Sequence, residues 1–360
     1  AEARVEMARR CDVFLMEAFM YRCHPQIARV VELIREQVIG QVRHIHANFA
    51  YDAGDRPDDI RNVSAMGGGG IMDVGCYCTS AARLIAGAAT GQDVAEPVEI
   101  HGVAVIPEGS EVDQWAAAVL KFSGDISASL TCGMQLETDW TLRVYGCKGV
   151  IEVPHPWFPD AENAEIRIAT DDRRDPERIR LTESRSPYTI EADLVATHLA
   201  DRQGPPPCAT WADTLGNMRT LDAWRKEAGV VFPTDTYYGI SKTGIFGRPP
   251  APRADAHMKY GRVAGVDKEI SRLVIGSMDH ICGSAAQMCA AFDYFLEAGG
   301  NCIDTAYVYQ TEDRVGEWID GRGVREQVVL IGKGAHPPHD NPGDIAGQLN
   351  ETLERLKTDY

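Results

Sequence analysis

The stretch Gly67-Gly68-Gly69-Gly70-Ile71-Met72-Asp73-Val74-Gly75-Cys76-Tyr77 decides how the first part of this chain is read. A glycine run ahead of a helix lets backbone approach a neighbour closely, because no Cβ intrudes. The pattern predicts a helix over about 72–85, which puts Asp73 and Tyr77, four residues apart, on one face. A carboxylate beside a phenol suits general acid–base work on a carbonyl or an alcohol. Gly75 inside the helix, unfavourable by about 1 kcal/mol relative to alanine, predicts a close neighbour. The plainer reading is a glycine loop packed under a sheet, with Asp73 as a first-turn carboxylate favoured by the helix dipole. Spacing alone leaves both open.

Outward from this stretch, residues 1–10 read as a helix and 13–19 as a buried strand with no earlier strand to pair with. A helix opened by Pro25 follows, carrying Ile27, Val30, Val31, Leu33 and Ile34 at helical spacing and ended by Gly40. Residues 42–51 partly alternate apolar and polar, as in a strand with one solvated face. Strand-like runs at 98–105, 115–122, 126–134, 140–145 and 150–153, joined by short turns, predict an antiparallel sheet. Helices at about 190–201 and 211–228 close the region. Residues 233–256 gather Pro233, Gly239, Gly247, Pro249, Pro250 and Pro252, which is linker composition.

Beyond the linker, strands at 272–277, 302–306 and 328–332 alternate with helices at 285–298, 312–319 and 345–356. That grammar predicts βαβ units and a parallel sheet. Here lies a second carboxylate–tyrosine pattern, Asn301-Cys302-Ile303-Asp304-Thr305-Ala306-Tyr307-Val308-Tyr309. Asp304 ends one predicted strand and Lys333 follows the next, the face that carries chemistry in a (β/α)8 barrel. An ammonium near a phenol lowers the pKa of the phenol, and a carboxylate can hold the lysine in place. Asp304, Tyr309 and Lys333 thus form a proton-transfer set for carbonyl reduction. The plainer alternative makes Asp304 a strand-end cap and Lys333 a solvated loop residue.

Two family resemblances attach to these motifs. Glu17-Ala18-Phe19-Met20-Tyr21-Arg22-Cys23-His24-Pro25-Gln26, followed by the glycine run with Asp73 and Tyr77, resembles the Gfo/Idh/MocA oxidoreductases over about residues 1–232. The resemblance implies an open antiparallel sheet domain that builds the substrate site and often the oligomer interface. Residues 1–19 would be the tail of a Rossmann dinucleotide-binding domain, and 20–232 the substrate and oligomerisation domain. Tyr77 would donate or accept the proton, and Asp73 would orient substrate or tune Tyr77. Glu17, Tyr21 and Arg22 would contact cofactor or substrate. The family's glycine-rich dinucleotide loop and its lysine fall before residue 1.

Ala298-Gly299-Gly300 leading into Asp304, with Tyr309, Glu312 and Gly316, and the opening Met258-Lys259-Tyr260-Gly261, resemble an aldo-keto reductase over about 257–360. This implies the first half of a (β/α)8 (TIM) barrel, with Tyr309 as general acid beside Asp304 and Lys333. The family's histidine would fall beyond Tyr360. Three parallel strands cannot close a barrel, so the chain reads as a fragment of a fused oxidoreductase, of mixed α/β and α+β class. The parent would exchange hydride between NAD or NADP and a sugar, a polyol or a related carbonyl compound. Two joined sites would oxidise one carbon and reduce another, while the fragment by itself neither binds the cofactor tightly nor turns over. The alternatives are an NAD-dependent glycosidase working through transient oxidation, and a non-catalytic sugar-binding or oligomerisation module.

Bulk properties agree with a cytoplasmic enzyme for small molecules. The formal net charge of −17 argues against nucleic acid or an anionic membrane as partner. No apolar run reaches the roughly 18 residues of a membrane span. Ten cysteines without framework spacing read as reduced thiols. His44 and His46 share a strand face without an evident third ligand, and His336 and His339 read as a polar loop, so no metal is expected. Arg173, Arg174, Arg178 and Arg180 among acidic residues read as a solvated segment.

Overall fold

The computed structural model describes residues 1–54, 56, 59–172, 175–235, 250–278 and 285–359. The chain divides into two compact units, residues 1–231 and 232–360.

Unit 1 opens with α1 (Glu2–Cys11), α2 (Met20–Cys23) and α3 (Pro25–Arg35), then β1 (Val42–Ala50). A single π-turn, Ile71–Gly75, precedes α4 (Cys76–Ala89). The strands β2 (Glu99–Val105), β3 (Trp115–Phe122), β4 (Ile126–Gly133), β5 (Leu142–Gly146), β6 (Gly149–Val153), β7 (Glu165–Thr170) and β8 (Glu177–Arg180) follow. The last helices are α5 (Pro187–His198) and α6 (Trp211–Ala228).

The strands form one open sheet in the order β2-β3-β4-β1-β5-β6-β7-β8. Neighbours run antiparallel except β1 and β4, which pair in parallel from His44↔Ser127 to Ala50↔Gly133, so the expected antiparallel sheet is a mixed one. The reason is the insertion of β1, which enters from α3 between two strands laid down later. One face is packed: Ile45, Ala47 and Phe49 alternate with Leu120, Leu130, Val144 and Ile151 as buried residues, and α3 and α4 supply Ile27, Val30, Ala81 and Ile85. Small residues along α4 allow close packing; a Cβ on Gly87 would sit 2.4 Å from the backbone of Val94 in the loop after the helix. Gly75 has the close neighbours its position implied, since a Cβ there would lie 3.0 Å from Cys132 Sγ and 3.2 Å from Trp224. The opposite sheet face leaves Val103, Trp115, Val119 and Tyr145 exposed.

Two expectations need correction. Residues 13–19 form no strand. They are tied to the rest of the unit by Leu15 N donating to Arg202 O and Trp211 Nε1 donating to Leu15 O, with no ladder alongside. The helix expected from 72 begins instead as a π-turn, where a widened ring accommodates the glycine-rich entry. The charged segment around Arg178 and Arg180 is solvated as expected and forms the edge strand β8, whose arginines pair with Glu165 across the ladder; Arg173 and Arg174 lie outside the described residues.

Unit 2 contains a small hairpin, β9 (Tyr260–Gly261) with β10 (Ile270–Ser271), then β11 (Ile275–Gly276), α7 (Ala285–Glu297), β12 (Cys302–Ala306), α8 (Glu312–Arg322), β13 (Val329–Lys333) and α9 (Pro342–Arg355). The strand expected over 272–277 is shortened to β11, because Arg272 N still bonds back to Lys259 O beside the hairpin and Ser271 Oγ donates to Leu273 O. β11, β12 and β13 make a parallel three-stranded sheet in that order. Phe292, Ile303, Val315, Trp318 and Val328 form its core. Buried Arg322 is held by Asp293, which also accepts from Trp318 Nε1. Of the linker expected at 233–256, residues 236–249 lie outside the described residues, as does the start of any strand at Tyr360. Among the described residues no helix is long and apolar enough to cross a membrane.

Candidate functional site

The packed face of β1 runs out at its C-terminal end into a cleft of 430 Å³. Its walls are Phe49, Tyr51, Tyr77, Trp140, Phe158 and Tyr188, with Val74, Asp73 and Arg61. Phe49 stands at the centre, with ring centroids 5.2 Å from Tyr77, 5.3 Å from Trp140 and 5.9 Å from Phe158, each edge-on. Trp140 sits in the left-handed region at φ 49, uncommon for a bulky residue. Its indole Nε1 donates to Ala50 O at 2.6 Å and keeps it there.

Asp73 is fixed from two sides. Tyr51 Oη donates to one carboxylate oxygen at 2.7 Å and Arg61 Nε to the other at 3.0 Å. Burial and the Asp73 carboxylate push the Tyr51 phenol up to about 12. Tyr77 lines the same cleft, but among the described residues its hydroxyl approaches only Met20 Sδ, at 3.9 Å. The expected tuning of Tyr77 by Asp73 is therefore weak; burial, ahead of any charge, raises the Tyr77 pKa. The partner of Asp73 is Tyr51. Sequence reasoning missed it, although Tyr51 continues the inward alternation of Ile45, Ala47 and Phe49. Arg61, reached through an irregular loop, carries no periodic signal.

The glycine run is engaged with its own surroundings. Gly68 N donates to Val63 O, Gly69 N to Arg61 O and Gly70 N to Asp113 O, while Ile71 N donates to Asp113 Oδ2 at 2.8 Å. Buried Asp113 thus anchors the π-turn that presents Asp73. Because these backbone donors are already used, the run is no cradle for a dinucleotide pyrophosphate.

Of the three residues expected at a cofactor, Tyr21 and Arg22 face inward. Tyr21 is fully buried and donates to Ser80 Oγ at 3.0 Å. Arg22, also buried, bonds Ser80 Oγ at 2.8 Å, Asp213 at 2.9 Å and Pro207 O at 2.5 Å. Both are framework residues, because every polar direction they offer is spent inside the fold. Glu17 lines a separate cleft with Leu15, Met16, Trp211, Thr214 and Met218. Burial raises its pKa against a hydrogen bond from Thr214, and its Oε2 has no partner among the described residues. Tyr21 and Arg22 therefore offer no group to a cofactor, and Glu17 is the one of the three that faces a cleft.

His44 bonds Ser127 and Ser129, and His46 bonds Ser129, so the pair belongs to the polar sheet face. Among the described residues no group of three or more metal-binding side chains is assembled. His336 and His339 lie in an exposed loop between β13 and α9.

In unit 2, Asp304, Tyr309 and Lys333 come together as the sequence implied. Adjacent β12 and β13 place Asp304 and Lys333 on neighbouring strands, and Lys333 Nζ forms an ion pair with Asp304 Oδ1. The same ammonium lies 4.8 Å from the Tyr309 ring centroid. Desolvation would lower the Lys333 pKa, but hydrogen bonds with Asp304 and Tyr309 outweigh it and raise the value.

Comparison with known proteins follows this division. Residues 27–152 match the GFO/IDH/MocA C-terminal domain. Residues 272–360 match the aldo/keto reductase family. The D-xylose 1-dehydrogenase (NADP(+)) 2 of Haloferax volcanii is 33% identical over 214 residues, covering 59% of this chain and 61% of that protein. Trans-1,2-dihydrobenzene-1,2-diol dehydrogenase of Mus musculus is 29% identical over 241 residues, covering 65% and 68%. The chain thus spans about three fifths of the length of the xylose dehydrogenase. The chain shares its fold over 63% of its length with the aldose-aldose oxidoreductase of Caulobacter crescentus complexed with glycerol, at TM-score 0.55, 22% identity and coverage of 65% of that chain. A 3-ketoreductase from Actinomadura kijaniata, in complex with NADP and TDP-benzene, aligns at TM-score 0.54 and 26% identity, covering 63% and 66%.

Proposed function

We propose that unit 1 is the substrate-binding domain of an NAD(P)-dependent oxidoreductase acting on the hydroxyl or carbonyl groups of sugars, polyols or cyclic diols. The observation that carries this reading is the aromatic cleft with Asp73 at its polar end. Aromatic walls offer apolar faces to the C–H side of a ring. Asp73 offers an acceptor and Arg61 donors to its hydroxyls. The D-xylose, dihydrodiol and aldose oxidoreductases to which unit 1 is similar act, by their names, on compounds of this kind.

A nicotinamide cofactor would supply or accept the hydride, and in this reading the residues of this chain manage substrate and proton. Asp73, held by Tyr51 and Arg61, fixes one hydroxyl without having to reorient. Tyr77 Oη is the group that moves the proton. With its pKa raised by burial, the phenol keeps its hydrogen at neutral pH and is a donor to a carbonyl oxygen. Unit 2 carries a separate set in which Tyr309 is the acid and Lys333, held by Asp304, lies beside its ring. The exposed Val103, Trp115, Val119 and Tyr145 support self-association of unit 1 through its open sheet face.

Trp140 in the cleft wall provides the test. Titration with D-xylose or a cyclic vicinal diol should perturb tryptophan emission saturably in the wild-type protein, and Trp140→Phe should remove the signal. Saturable binding that survives Asp73→Ala with unchanged affinity would overturn the assignment.

A further inference from the structure

Cys23 ends α2, and Cys208 closes the turn at residues 205–208 that leads toward α6. Their sulfurs lie 3.5 Å apart and share a hydrogen bond. The flanking backbone is already joined: Arg22 Nε donates to Pro207 O at 2.5 Å, and Cys208 Sγ lies 3.8 Å from Arg22 O. The approach needed for a disulfide bond of about 2.05 Å is therefore only about 1.5 Å. The other thiols of this region are placed differently: Cys76 donates to Asp73 O and Cys78 to Thr131 O, while Cys11 and Cys147 are exposed. Neither Cys23 nor Cys208 takes part in the proposed oxidoreductase chemistry.

We propose that Cys23 and Cys208 form an oxidative modification site, closing to an intramolecular disulfide on exposure to a hydroperoxide. One thiolate attacks the peroxide oxygen and breaks the O–O bond, giving a sulfenic acid and, after protonation, water from hydrogen peroxide. The second sulfur then attacks the sulfenic sulfur, forms the S–S bond and releases a second water. Two thiols are oxidised and one peroxide is reduced. Cys208 is the better nucleophile, since its hydrogen bond with Cys23 and the nearby Arg22 charge hold it below the ordinary thiol range against desolvation. Cys23 is only partly buried and gives a small oxidant its entry. The bond would fix α2, whose Met20 and Tyr21 back the Tyr77 ring of the cleft.

The test is peroxide treatment of the whole folded protein, then alkylation of free thiols, digestion and mass mapping. A Cys23–Cys208 linked peptide two hydrogens lighter than its parts, restored by dithiothreitol, is the expected result. Cys208→Ser should abolish the link and leave Cys23 able to react with alkylating agent, but the wild-type map decides the matter without it. Full alkylation of Cys23 and Cys208 under conditions that oxidise Cys11 or Cys147 would overturn the proposal. So would conversion of Cys23 to a sulfinic acid with no linked peptide.

Discussion

Tyr51, just past the end of β1, donates to the Asp73 carboxylate at 2.7 Å, while Arg61 Nε donates to the opposite oxygen at 3.0 Å. The acidic residue of the glycine-rich motif is thus oriented by a strand-end phenol and a loop guanidinium rather than by the tyrosine four residues along its own helix. Tyr51→Phe removes one of the two donors. Hydrogen bonds to charged groups contribute about 1.5–3 kcal/mol, so ligand affinity in the cleft should fall roughly tenfold or more, readable in the tryptophan titration. Unchanged affinity would place Asp73 outside ligand recognition.

Asp213 is buried between Arg22 and Arg83, at 2.9 and 2.5 Å. Removing one member of a buried ionic cluster leaves charge uncompensated, at a loss of about 3–5 kcal/mol. Asp213→Ala should therefore lower the urea midpoint of unit 1 by far more than Asp222→Ala, whose partner Arg225 it meets at a side chain that is itself exposed.

Glu17 gives a pH prediction. Its folded pKa is raised, chiefly by burial, so the native state holds its proton more tightly than the unfolded chain. Such a group contributes stability below its unfolded pKa, near 4.5, and loses that contribution as pH rises through the folded value. Glu17→Gln should accordingly gain stability relative to wild type on going from pH 4 to pH 7. A difference that stays constant across that range would show that Glu17 is solvated in the folded protein.

Lys333 owes its raised pKa to Asp304 and Tyr309 acting against desolvation. Asp304→Asn should move the lysine titration downward, which NMR of the reductively methylated side chain can follow. An unmoved titration would mean that the ion pair does not persist in solution.

Trp115 lies at 36% exposure on the uncovered sheet face, in line with Val119 of the same strand and opposite Val105. If unit 1 self-associates through this face, Trp115→Glu should reduce the mass seen by light scattering toward that of a single chain, with an unchanged circular dichroism spectrum.

The parts of this molecule legible in the sequence are those specified locally. The β12 strand and helices α6 and α9 carry clear periodicity or caps; Thr210 caps α6 and Asn341 caps α9 by accepting backbone N–H groups. Asp304 and Lys333 could be joined in advance because neighbouring parallel strands deliver their ends to one side. The cleft of unit 1 was only half visible. Asp73 and Tyr77 stand in one motif, but Trp140 and Phe158 come from distant loops brought together by sheet register. Strand β8 was hidden because Arg178 and Arg180 read as solvated charge, whereas their ion pairs with Glu165 of β7 line an edge. The 13–19 run misled in the other direction: apolar composition promised burial, yet Val13 is 49% exposed.

The most direct test of the central claim is a crystal structure of the protein soaked with D-xylose. The ring is predicted to lie in the cleft against Phe49 and Trp140, with one hydroxyl within hydrogen-bonding distance of Asp73 and another of Tyr77 Oη. A sugar bound elsewhere, with the Asp73–Tyr77 cleft filled only by solvent, would contradict the account.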